Sequence, residues 1–158
     1  MTDFRVAFKA GQDAAIQADL SRKEIDDVFS VVKEQLAEVT DGKVDIRRLQ
    51  FTKQRDAFPI NVFAPREKFW AIAVRNPIAE DNESRQIALW EQGRTGYPCK
   101  ISWGGVDRTC HDRESLEGCL ASLLEDAVVA EKLRGVMLLP PPPLPQNEPD
   151  DSSMPTPS

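Results

Sequence analysis

The 158 residues carry 26 acidic against 20 basic side chains, a net charge of −6, which makes the chain a poor general binder of nucleic acid. Its 41% hydrophobic and 29% charged content is that of an ordinary soluble domain, with no run near the ~20 apolar residues of a membrane span. A single histidine excludes an HExxH or multi-histidine metal site. No GxGxxG, P-loop, GxSxG or EF-hand spacing occurs, so neither metal nor cofactor is expected.

The start of the chain, Met1-Thr2-Asp3-Phe4-Arg5-Val6, lacks the basic and apolar regions of a secretory signal. Phe4, Val6 and Phe8 alternate with Arg5 and Ala7, the pattern of a short strand. Gly11 ends it, and Ala-rich 12–19 reads as a helical turn. At Ser21 a capping box with Glu24 opens a helix over about 22–40, with Leu20 stapled onto Ile25. Ile25, Val28, Phe29, Val32, Leu36 and Val39 form its apolar stripe, and Gly42 caps its end.

The period then changes. Val44 and Ile46 alternate, and Leu49 and Phe51 alternate out of phase with them. That shift predicts a bulge near Arg47-Arg48. A strand over 58–64 follows, bounded by Pro59 and Pro65. Phe69 to Val74 is apolar throughout, as in a strand covered on both faces. Asn76-Pro77 opens a polar loop. The strand 86–91 sets Ile87 and Leu89 against Ala88 and Trp90. Tyr97, Cys99, Ile101 and Trp103 share a face, and Gly104-Gly105 marks a two-residue hairpin turn. With a two-residue turn Trp103 pairs with Val106, which puts Cys99 opposite Cys110 and Arg108 beside Ile101; a longer loop would pair the strands differently.

Asp112 caps a last helical region with its stripe at Leu116, Cys119, Leu120, Leu123 and Leu124. Asp126 caps a second short helix that Gly135 stops. Pro140 to Pro143 then halt regular structure, because proline fixes φ and lacks the backbone donor. The fold expected is α+β: an antiparallel meander of about five to six strands, with an N-terminal and a C-terminal amphipathic helix packed on it. Residues 1–139 form the single domain, and 140–158 form a disordered, proline-rich, acidic tail, tether or ligand.

Candidate chemistry is sparse. Cys110 beside His111 is the best reactive pair, but strand neighbours point to opposite faces. No catalytic residue is assigned. Residues 43–55 hold five basic side chains against one acidic; Arg47, Arg48, Lys53 and Arg55 make a basic patch or a solvated strand face. Residues 112–135 hold six acidic against three basic. Glu114, Glu117 and Glu125 there, with Glu80, Asp81 and Glu83 in the polar loop, are candidate partner-binding residues. Trp70, Trp90 and Trp103 fall on strands as core residues or, on an uncovered face, as a binding patch. Three cysteines without CxxC spacing fit reduced thiols and a cytoplasmic location.

The expectation is a small intracellular protein-binding module: an inhibitor, immunity-type protein, chaperone or adaptor acting by surface complementarity on a basic partner. The alternatives are a small Cys/His-dependent enzyme or a nucleic-acid accessory protein using 43–55. No membrane association is expected.

Overall fold

The chain's fold is given by a computed structural model that describes residues 1–53 and 67–145. The strand expected over 58–64, Arg55, and the tail beyond Pro145 lie outside those residues. Eight elements follow in order: α1 (Phe4–Val39), β1 (Asp45–Thr52), β2 (Lys68–Arg75), β3 (Arg85–Gly93), β4 (Gly96–Trp103), β5 (Val106–Cys110), α2 (Arg113–Glu125) and α3 (Ala127–Met137). The strands pair antiparallel in sequence order as one five-stranded meander. The α+β architecture read from the sequence is therefore the one adopted.

The N-terminal reading is corrected. No strand forms at 4–8 and no helix starts at Ser21: a single helix runs from Phe4 to Val39, capped by Asp3. Once Ile25, Val28 and Phe29 are buried on the sheet, extending the helix backwards adds a hydrogen bond per residue without a new nucleation cost. At the other end Gly42 N donates to Ala37 O at 2.8 Å. This is the Schellman bond, with Asp41 in the left-handed region at φ 55°.

The ladder registers sort the side chains onto two faces. One face carries Ile46, Arg48, Ile72, Val74, Ala88, Trp90, Cys99, Ile101 and Cys110. α1 and α2 both pack there: Phe29 meets Trp90 edge-on at 5.1 Å, and Leu116, Cys119, Leu120 and Leu123 join the same core. The other face carries Arg47, Leu49, Phe51, Phe69, Ala71, Leu89 and Lys100. There Phe51 and Phe69 stack at 5.9 Å.

The hairpin register is the expected one. Trp103 pairs with Val106, Ile101 with Arg108, and Cys99 with Cys110. Gly104 and Gly105 take φ of 54° and 78°, as a two-residue turn of this kind requires. The bulge expected at Arg47-Arg48 is absent; β1 pairs in unbroken register with β2. Register shifts fall instead at Ile72/Ala73 and Gln92/Gly93.

Asp112 caps α2 through a reciprocal box with Ser115, whose N–H donates to Asp112 Oδ1 at 2.8 Å. Asp126 caps α3. Gly135 does not stop α3, which runs to Met137, because Val136 is fully buried there. Asn76 ties the end of β2 to α3: its Nδ2 donates to Val136 O at 3.0 Å, and its Oδ1 accepts from Ile78 N. Glu80 N donates to Pro140 O at 3.0 Å, which fixes the first residue of the proline run to the β2–β3 loop.

Candidate functional site

α1 packs against β1 and β4, and on the same face Gln50 of β1 and Trp70 of β2 remain exposed. The helix is seated against the β3–β4 turn, where Gly96 lies so close that an added Cβ would be 2.9 Å from Ser21 Cβ. Arg22 donates through Nε and Nη2 to Arg94 O at 3.0 and 2.6 Å. Beside this crossing, on the helix-bearing face, is a cleft of about 410 Å³ lined by Arg48, Trp70, Trp90, Gln92 and Gly93. Its volume lies within the usual range of ligand sites.

Each wall has a local cause. Arg48 sits at an inward strand position where an aliphatic residue would normally be. Its stem lies along the core and its guanidinium stacks 4.3 Å from the Phe29 ring centroid and 5.7 Å from that of Trp90. Asp26 on α1 accepts from Nη2 at 2.6 Å, and Gln92 Oε1 accepts from Nη1 at 3.3 Å. The cation is thus compensated, and the cleft floor offers aromatic surface rather than net charge. Trp90 is buried, whereas Trp70, beyond the reach of α1, is 50% exposed. An exposed indole in a concave, charge-compensated site suits an apolar or aromatic group of a partner.

The other candidate residues are dispersed. Arg47 points to the opposite sheet face and pairs with Asp45 at 2.7 Å. Lys53 pairs with Glu67 at the strand end at 3.2 Å. Together with Arg48 they form no shared basic patch. Glu80, Asp81 and Glu83 are exposed in the β2–β3 loop, with Asp81 bridged to Arg85 at 3.1 Å. Glu114, Glu117 and Glu125 are exposed along α2, and Glu117 accepts from Arg113 at 2.9 Å. The two acidic sets occupy different elements.

Asp45 is the most constrained acid. It pairs with Arg47, with Arg75 at 3.3 Å and with Lys33 of α1 at 3.4 Å. Its Oδ1 accepts no hydrogen bond. The Lys33 contact is therefore coulombic, while Arg47 and Arg75 share Oδ2. Burial alone would raise its pKa, but the guanidinium bonds and the lysine charge outweigh it and hold the carboxyl below its ordinary value.

The cysteines cluster without becoming nucleophiles. Cys99, Cys110 and Cys119 are all buried free thiols. Burial pushes Cys99 up to about 11 and Cys110 up to about 12, and raises Cys119, so thiolate is scarce at neutral pH. His111 is exposed, with its N–H donating to Ser115 Oγ at 3.0 Å; it belongs to the α2 cap. Tyr97 is held protonated by burial and by its bond to Glu24 Oε1 at 2.9 Å. Among the described residues no group of three His, Cys, Asp or Glu side chains is placed to hold a metal. No helix there is long and apolar enough to cross a membrane.

The chain matches no known protein family, and no characterised protein or solved structure is significantly similar to it.

Proposed function

We propose that this protein is a protein-binding module that takes an apolar side chain of its partner into the Trp70 cleft. The observation that supports this reading is a half-exposed tryptophan in a preformed cavity beside a partly buried, charge-compensated arginine. Exposed tryptophans in concave sites are frequent energetic centres of protein interfaces. Among the described residues the cleft is lined by aromatic rings, one amide and a paired guanidinium, surfaces suited to recognition. The net charge of −6, with acidic side chains on α2 and the β2–β3 loop, suits a basic partner surface through steering.

The test is affinity capture with the full chain as bait, wild type beside Trp70→Ala. A partner retained by wild type and lost from the variant supports the reading. Identical proteins on both baits would sink it.

A further inference from the structure

α3 ends against a run of prolines that is anchored at one end and open along its length. Leu138 N donates to Arg134 O at 3.0 Å to close the helix, and Glu80 N donates to Pro140 O at 3.0 Å. Val136, fully buried, and the Asn76 bond brace the helix end from inside. Pro140–Pro145 therefore starts from a fixed point on the body, yet all six of its residues are exposed, Leu144 at 88%. Two constraints set the shape of this segment. Proline holds φ near −65°, and a residue that precedes proline is steered out of the helical region into the extended one. From Leu139 to Leu144, every residue but Pro143 precedes a proline. Both dihedrals are restricted along almost the whole run, and the polyproline II helix satisfies them. With three residues per turn and about 3.1 Å per residue, Pro142 and Pro145 fall on one edge about 9 Å apart, and Pro141 and Leu144 fall on the next.

We propose that Pro140–Pro145 is a docking ligand for a partner protein that presents a groove of exposed aromatic rings. The two edges offer apolar ridges at the spacing such a groove receives. Five of the six residues are prolines without an N–H, and a polyproline II helix makes no internal hydrogen bonds, so the segment offers a partner mainly carbonyl acceptors. Tryptophan and tyrosine side chains meet both needs, with a ring face for the prolines and an N–H or O–H for the carbonyls. The segment is stiff before it binds, so little conformational entropy is lost on docking. The competing use of such a run is a rigid spacer. A spacer has no use for an apolar side chain held in water, whereas in a ligand Leu144 is the side chain that distinguishes this run from plain polyproline.

Charge narrows the class of groove. After Arg134 the sequence has no lysine or arginine, and Glu148, Asp150 and Asp151 follow the prolines. A groove that reads a basic residue beside the prolines through its own carboxylates, as SH3-type grooves do, meets the wrong sign here. An aromatic groove with a basic rim is complementary. The segment leaves the body at the β2–β3 loop, whereas Trp70 lies near the start of β2. It is thus a second interaction surface, separate from the cleft.

Calorimetric titration of the full chain into a panel of purified WW, EVH1 and SH3 domains provides the test, with thermal melting confirming that each variant keeps its fold. Domains that combine an aromatic groove with a basic rim should bind, weakly, as befits an interface below about 1,200 Å². Leu144→Ala should weaken that binding about tenfold. Pro142→Ala together with Pro145→Ala should weaken it by at least about tenfold, through lost ring contact and lost stiffness. Glu148→Gln with Asp150→Asn and Asp151→Asn should flatten its salt dependence. Binding to no domain of the panel, or binding indifferent to the proline and leucine changes, would overturn the proposal and leave the run a spacer. Binding confined to grooves with acidic pockets would overturn the assignment of a basic rim.

Discussion

Replacing Gly96 by alanine tests how α1 is seated. Gly96 has φ +98°, and its added Cβ would lie 2.9 Å from Ser21 Cβ and 3.1 Å from Arg22 N. The backbone conformation alone costs a non-glycine residue about 1–3 kcal/mol. The contact adds to this, because two of the three nearest atoms are helix backbone and cannot rotate away. Lifting α1 by a few tenths of an ångström also loosens the Arg22 bonds to Arg94 O, each contributing about 1 kcal/mol. The sum is about 2–5 kcal/mol, a large share of the 5–15 kcal/mol typical of a domain. Gly105→Ala is the control: its φ is +78° but nothing lies within 4 Å of the new Cβ, so only strain of about 1–2 kcal/mol applies. Urea unfolding, followed by tryptophan emission and by circular dichroism, reads both. Gly96→Ala should lower the midpoint by about 1–3 M, clearly more than the control. Equal shifts would show that α1 is not clamped at this turn.

Other expectations follow from single contacts. Asp45→Asn should cost about 1–3 kcal/mol. Because the folded carboxyl lies below its ordinary 3.8, the wild-type contribution is present above that value and is lost as pH falls through the folded pKa. The variant should therefore show a flatter acid limb between pH 6 and 2 in urea midpoints, and equal slopes would contradict the Asp45 account. Cys99, Cys110 and Cys119 should resist a thiol reagent in the native state and react in denaturant; rapid native labelling would mean that the core opens. Asn76→Ala, which removes the β2–α3 tie, should cost about 1–3 kcal/mol, read by thermal melting. Charge reversal at Glu114, Glu117 or Glu125 should leave stability nearly unchanged. If the partner is basic, it should slow association and flatten its salt dependence; unaltered binding kinetics would remove the acidic face from the interface.

The hairpin was legible because two glycines set one turn and alternation fixed everything outward from it. The out-of-phase apolar residues of β1 were legible only as an anomaly. Arg48 and Gln50 occupy inward positions where the sheet face turns from core to cleft, and the apolar side chains move to the opposite face without any bulge. The N-terminal part of α1 was hidden by competing signals. Phe4, Val6 and Phe8 fit a period of two, while Phe4, Ala7, Phe8, Gly11 and Ala14 fit the helical period that prevails. The Ser21–Glu24 capping pattern is a local preference, overridden once the helix is anchored downstream and extends back through it. Three strand tryptophans could be read, but not which one stands clear of α1. That depends on where a helix crosses strands from 24 to 74 residues away in sequence, between Arg22 and Ile46 or Gly96, which no local pattern encodes.

The most direct test of the binding account is a titration of the captured partner into wild type and Trp70→Ala, followed by tryptophan emission and by calorimetry. Affinity should be weakened at least about thirtyfold in the variant, as for an interface centre, with an emission change in wild type that the variant lacks. Equal affinities, with the fold of Trp70→Ala intact, would place the binding surface elsewhere on the molecule and contradict the account.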